Sequence, residues 1–137
     1  MNAQHIKAVQ QSWALLEPVG DQAAELFYTN LFARNPGMRA LFTEDLSVQG
    51  HQLMRMFDRA VANLERPEEL VPMLKALGER HLAYGVTAAH FDAYGEALYR
   101  TLAQGLGTAF TPEVGEAWRV VFADIRGVML GIQTDVQ

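Results

Sequence analysis

A chain of 137 residues suits one domain and is long enough to bury a sizeable core. Half its residues are apolar and 20% are charged; with a net charge of −5 and the 11 Lys and Arg scattered, it offers no basic patch for nucleic acid or an anionic membrane. With no cysteine it has no disulfide, no thiolate metal site and no thioether-linked cofactor. No run of about 18 apolar residues is present to span a membrane, and Met1-Asn2-Ala3-Gln4-His5 carries no signal pattern, so a cytoplasmic location is expected. The histidines at 5, 51, 81 and 90 form no i, i+4 pair of the kind that holds zinc on a helix.

In chain order, His5 to Leu16 reads as a first amphipathic helix, with Ile6, Val9, Trp13 and Leu16 on one face. Pro18 and Gly20 interrupt it. A second helix is expected from about Asp21 to Arg34, with Ala24, Phe27, Tyr28, Leu31 and Phe32 inward, and Asn35-Pro36-Gly37 then breaks the chain. A short helical segment, Met38 to Phe42, follows Pro36. Thr43 to Val48 reads as a polar loop with Asp45 or Ser47 as the next cap. The clearest stripe comes next: Gln49, Leu53, Met56, Phe57, Ala60, Val61 and Leu64. Arg66-Pro67 ends that helix, and Pro67 opens the one that carries His81. Gly85 turns the chain and Thr87 caps a long helix to about Leu106, with Phe91, Tyr94, Leu98 and Leu102 inward. Thr111-Pro112-Glu113 starts the last helix, expected to reach about Gln133, with Trp118, Val121, Phe122, Ile125, Val128, Met129 and Ile132 inward. No segment reads as a strand, so the fold class is all-α.

Leu74, Leu77 and His81 are spaced i, i+3, i+7 and share one face near the end of their helix. A neutral imidazole aimed into an apolar crevice is a good axial ligand for a haem iron. A lone histidine on such a face is, by itself, more often a hydrogen-bonded core residue. Two further helices put a polar group in an apolar stripe: Gln49, and Tyr28 between Phe27 and Leu31. Such groups cost a few kcal/mol each without partners, about 2 or more. They either pair with each other and the backbone or face one pocket whose ligand completes them.

The order Leu26-Phe27-Tyr28-Thr29-Asn30-Leu31-Phe32, Asn35-Pro36 leading to Arg39-Ala40-Leu41-Phe42, Gln49 with Leu53, His81 with Tyr84-Gly85-Val86, and Ala117-Trp118 resembles the bacterial single-domain globins of the Vitreoscilla type and the globin domains of flavohaemoglobins. The resemblance covers nearly the whole chain. It implies a single globin domain over residues 1–137, with six to eight helices packed around haem b. It makes His81 the iron ligand, its other ring nitrogen held by the Leu77 carbonyl. It makes Phe42 the ring stacked on the haem, Leu53 the apolar residue above the iron, and Leu77 and Val86 further cofactor contacts. Tyr28 and Gln49 match the distal pair that donates hydrogen bonds to bound oxygen, which implies tight O2 binding at a five-coordinate ferrous iron. His51 lies two residues, about 200°, round the helix from Gln49. With His51 inward the charged Arg55 would face the haem, so His51 is expected in solvent. His5 and His90 also read as surface histidines.

Three functions follow. The first is reversible binding of O2, CO and NO, as a monomer or weak homodimer, for oxygen storage, delivery or sensing. The second is an enzyme: an NO dioxygenase that converts NO and O2 to nitrate. The third is a haem-free helical sensor or interaction module, against which the combination of His81, Phe42, Tyr28 and Gln49 counts. The resemblance places Phe91 and Gln133 where flavohaemoglobins carry a tyrosine and a glutamate supporting the histidine, which disfavours the enzyme. The sequence has no Gly-x-Gly-x-x-Gly, so sustained turnover is expected to need a separate reductase.

Overall fold

The computed structural model describes residues 1–42 and 45–131. Six α-helices follow in order: α1 Ala3–Leu16, α2 Gly20–Arg34, α3 Leu46–Ala62, α4 Pro67–Ala83, α5 Ala88–Leu106 and α6 Pro112–Met129. Short 3-10 turns at Glu17–Val19, Pro36–Leu41 and Gly107–Ala109 make three of the connections. Among the described residues there is no strand.

The helix starts are built from local side chains. Thr111 accepts from the Val114 amide at 3.2 Å, with Pro112 in the first turn of α6. Thr87 accepts from the His90 amide while His90 Nδ1 accepts from the Thr87 amide, a reciprocal capping box that gives this histidine a structural task. Asn2 and His5 do the same at α1. Asp45, of the two expected candidates, caps α3 by accepting from the Ser47 amide at 2.8 Å. Helix α3 therefore begins at Leu46, inside the stretch expected as loop; a first turn tolerates polar residues once its amides are capped.

One expectation differs at a helix end. Helix α6 stops at Met129 rather than near Gln133, and Gly131 follows with φ +78°, a left-handed value that turns the chain. Ile132 and Gln133 lie outside the described residues. Pro72 sits inside α4, where it removes one backbone donor. The buried Leu70 and Leu74 on either side anchor that turn by packing instead.

Helix α1 packs on α6, α2 on α5 and α3, and α4 on α6. Leu16, Leu31, Leu70, Leu74, Leu102, Val9 and Val121 are the most deeply buried side chains and weld these pairs into one core. Both buried indoles find acceptors: Trp118 Nε1 donates to Ser12 Oγ at 2.8 Å and Trp13 Nε1 to Asp58 Oδ1 at 2.6 Å. At the crossing of α4 and α6 the backbones touch. A Cβ at Gly78 would overlap the backbone of Met129, so only glycine allows the approach. This contact, one turn before His81, fixes the end of α4 against α6.

Candidate cofactor and ligand site

Between the helices lies an apolar crevice that encloses about 120 Å³ and opens on solvent. Its wall takes Tyr28 from α2, Phe42 from the following turn, Leu53 from α3, His81 from α4, and Phe91 and Tyr94 from α5. Arg126 of α6 reaches its edge and lies 2.9 Å, as an ion pair, from Asp92 Oδ1.

The His81 side is set by backbone. His81 Nδ1 donates to the Leu77 carbonyl at 2.7 Å, one turn back in α4. A carbonyl can only accept, so Nδ1 carries the proton and Nε2 keeps its lone pair. Helix α4 then ends in a Schellman motif: the Val86 amide donates to the His81 carbonyl and the Gly85 amide to the Leu82 carbonyl, both at 3.1 Å. Gly85 has φ +87°, as that ending requires. The Phe91 ring sits 5.8 Å from the His81 ring, centroid to centroid, and offers it carbon rather than a hydrogen-bonding group. One edge of the histidine is thus locked to its own helix, and the residue lines the crevice.

The opposite side is set by aromatic rings. Phe42 meets Tyr28 edge-on at 5.4 Å and Phe32 at 5.4 Å, while Tyr28 and Phe32 stack at 6.0 Å. Burial, reinforced by the charge Tyr94 would carry if ionised, pushes the Tyr28 phenol up to about 12. Burial likewise pushes Tyr94 upward. Both phenols are therefore neutral donors at ordinary pH.

The structure brings Tyr28, Phe42, Leu53 and His81 into the lining of one crevice. Three other residues singled out in the sequence are absent from it. Leu77 contributes its carbonyl to His81, and Val86 is the buried residue that completes the Schellman ending. Gln49 is not among the residues that line the crevice; its Oε1 is buried with no hydrogen-bond partner among the described residues. Gly50 beside it packs on Ala24, where a Cβ would come within 3.1 Å, so the first turns of α3 seat directly on α2. His51 faces solvent, 3.0 Å from the exposed Asp21 carboxylate. Sequence reasoning gave no role to Tyr94 or Arg126. The spacing of Tyr94, three residues after Phe91, put it on the inward face, but nothing in that spacing distinguished it from a core ring.

A histidine with one free lone pair, an apolar slot, and phenols facing the same space suit a flat, largely apolar metal cofactor such as haem. The comparisons agree with that chemistry. The globin profile matches residues 25–129. The chain is 25% identical to a flavohemoprotein of Bordetella parapertussis over 135 residues, covering 96% of this chain and 34% of that protein. It is 24% identical to a flavohemoprotein of Bacillus subtilis over 134 residues, with 96% and 34% covered, and 27% identical to one of Rhizobium meliloti over 113 residues, with 80% and 28% covered. The chain spans about a third of the length of these relatives. With the helical fold and the profile matched over residues 25–129, the chain belongs to the globin family.

Proposed function

We propose that the crevice holds haem b and that the protein binds O2, and with it CO and NO, reversibly. The observation that carries this reading is the His81 geometry: Nδ1 is committed to Leu77, which leaves Nε2 as the axial donor on an apolar wall. When bound, haem supplies an iron with one position open to a diatomic ligand. His81 holds the iron from the α4 side. Phe42 packs its ring against the cofactor, and Leu53 keeps the space over the iron apolar and closed to water. Tyr28 donates its hydroxyl proton in a hydrogen bond to the bound ligand, with a donor that stays protonated because its ionisation is displaced to about 12. A bound O2 carries more negative charge than CO, so this donor favours O2.

The alternative is an NO dioxygenase in which NO and O2 combine to nitrate while a separate reductase returns the electron. One observation disfavours it. Phe91, beside His81, has no hydroxyl with which to polarise the histidine. The test is to load the protein with haem, reduce it and cycle it between O2 and argon. Full return of the ferrous spectrum over repeated cycles, with slow NO consumption under added reductant, supports reversible binding. Rapid catalytic NO consumption with nitrate formed in proportion would replace it by the dioxygenase.

A further inference from the structure

The wall carries a second phenol. Tyr94 enters the crevice from α5 as Tyr28 enters from α2, and α2 and α5 pack directly on each other. Phe91, one turn earlier on α5, lies 5.8 Å from the His81 ring and 5.7 Å edge-on from the Tyr94 ring. Phe91 thus bridges the His81 ring and the Tyr94 ring along α5, and Tyr94 lines the same crevice as Tyr28.

Neither hydroxyl has a hydrogen-bond partner among the described residues. A phenol set in an apolar wall without a partner is unfavourable, whereas phenylalanine would fill the same volume without that penalty. One unpaired hydroxyl is what a single distal donor requires. Two, from different helices and lining one space, leave the second unexplained by packing. Meanwhile the amide expected to be the second donor, Gln49, is not among the lining residues.

We propose that the Tyr94 hydroxyl is the second hydrogen-bond donor to the diatomic ligand, in the place the sequence assigns to Gln49, and that it sharpens the preference for O2 over CO. The proposal rests on haem occupying the crevice. It makes Tyr94 a specificity-determining residue, since a donor stabilises the more negative ligand.

The test compares wild type, Tyr94→Phe, Tyr28→Phe and the double variant, each loaded with haem. Three quantities are read: the O2 dissociation rate, the C–O stretching frequency of the CO complex, and the melting temperature of each apoprotein. Tyr94→Phe is expected to take up haem with an unchanged ferrous spectrum, to release O2 about tenfold faster, and to raise the C–O frequency as donation is lost. Its apoprotein is expected to melt no lower than wild type, because the hydroxyl bonds to nothing in the fold. The double variant should exceed either single one. If Tyr94→Phe loads haem and leaves both O2 release and C–O frequency unchanged, Tyr94 is not a donor, and the haem reading stands without it. A drop in apoprotein melting temperature with no change in C–O frequency would make the hydroxyl structural and overturn the proposal. Failure of the wild type to take up haem would overturn the haem reading and this proposal together.

Discussion

The two sides of the crevice are held by different forces. On the His81 side the restraints are backbone ones: the Leu77 carbonyl on the ring, the Schellman hydrogen bonds of Gly85 and Val86, and the glycine crossing of Gly78 on Met129. On the Tyr28 side the restraints are rings on rings, with Phe27, Phe32 and Phe42 gathered around one phenol and its hydroxyl left free. Backbone restraints are directional and leave one geometry. Aromatic packing is broad and lets a side chain shift by a rotamer at modest cost. The first side thus suits a fixed ligand to a metal, and the second suits a pocket that adjusts to what enters.

Substitutions separate the two sides. His81→Ala should have the largest effect, abolishing stable haem uptake in a haemin titration, because Nε2 is the proposed iron donor. Normal uptake with an unaltered ferrous spectrum would break the comparison at its firmest point. Gly78→Ala should come next. It forces α4 off α6 and should lower stability by about 1–3 kcal/mol, read by urea unfolding, and weaken haem retention in parallel. Unchanged stability would mean that the crossing does not fix the histidine. Tyr28→Phe, on the softer side, should leave the melting temperature nearly unchanged while speeding O2 dissociation about tenfold. CO release should hardly change.

Gln49→Leu should have the smallest effect, less than about twofold on O2 release, since a change of that size is below half a kcal/mol. A tenfold effect would show that the amide swings into the crevice when ligand binds. Proton linkage offers a control with no expected change. The Tyr28 phenol ionises near pH 10 in the unfolded chain and about 12 in the fold. Below pH 10 both states keep the proton, so O2 release should be flat from about pH 6 to 9. Above pH 10 the unfolded chain loses its proton first, so stability should fall as pH rises towards 12. An O2 release rate that climbs near neutrality would point to a different titrating group.

Much of the His81 side was legible in the sequence. Leu74, Leu77 and His81 share a face by spacing, Gly85 marks the turn and Thr87 the next cap, and each of these is a local rule that tertiary packing had no reason to override. The hydrogen bond to Leu77, implied by the resemblance, lies within the same helix. The ring side was less legible. Spacing put Gln49 on the inward stripe, but a stripe fixes a direction and not a depth. The seating of Gly50 on Ala24 fixes the start of α3 against α2, and that contact joins residues 26 apart in sequence. Tyr94 was read as one more core ring for the same reason. The early start of α3 and the early end of α6 show the usual limit of local rules at element ends, where a cap or a left-handed glycine shifts the boundary by a few residues.

The most direct test of the central claim is the absorption spectrum of the haem-loaded wild-type protein, reduced and then exposed to O2 and CO. The His81 geometry predicts one haem per chain, a five-coordinate ferrous spectrum, and conversion to stable O2 and CO complexes. A six-coordinate ferrous spectrum in the absence of added ligand would contradict the open position. No haem uptake at all would leave a globin fold whose crevice serves some other occupant.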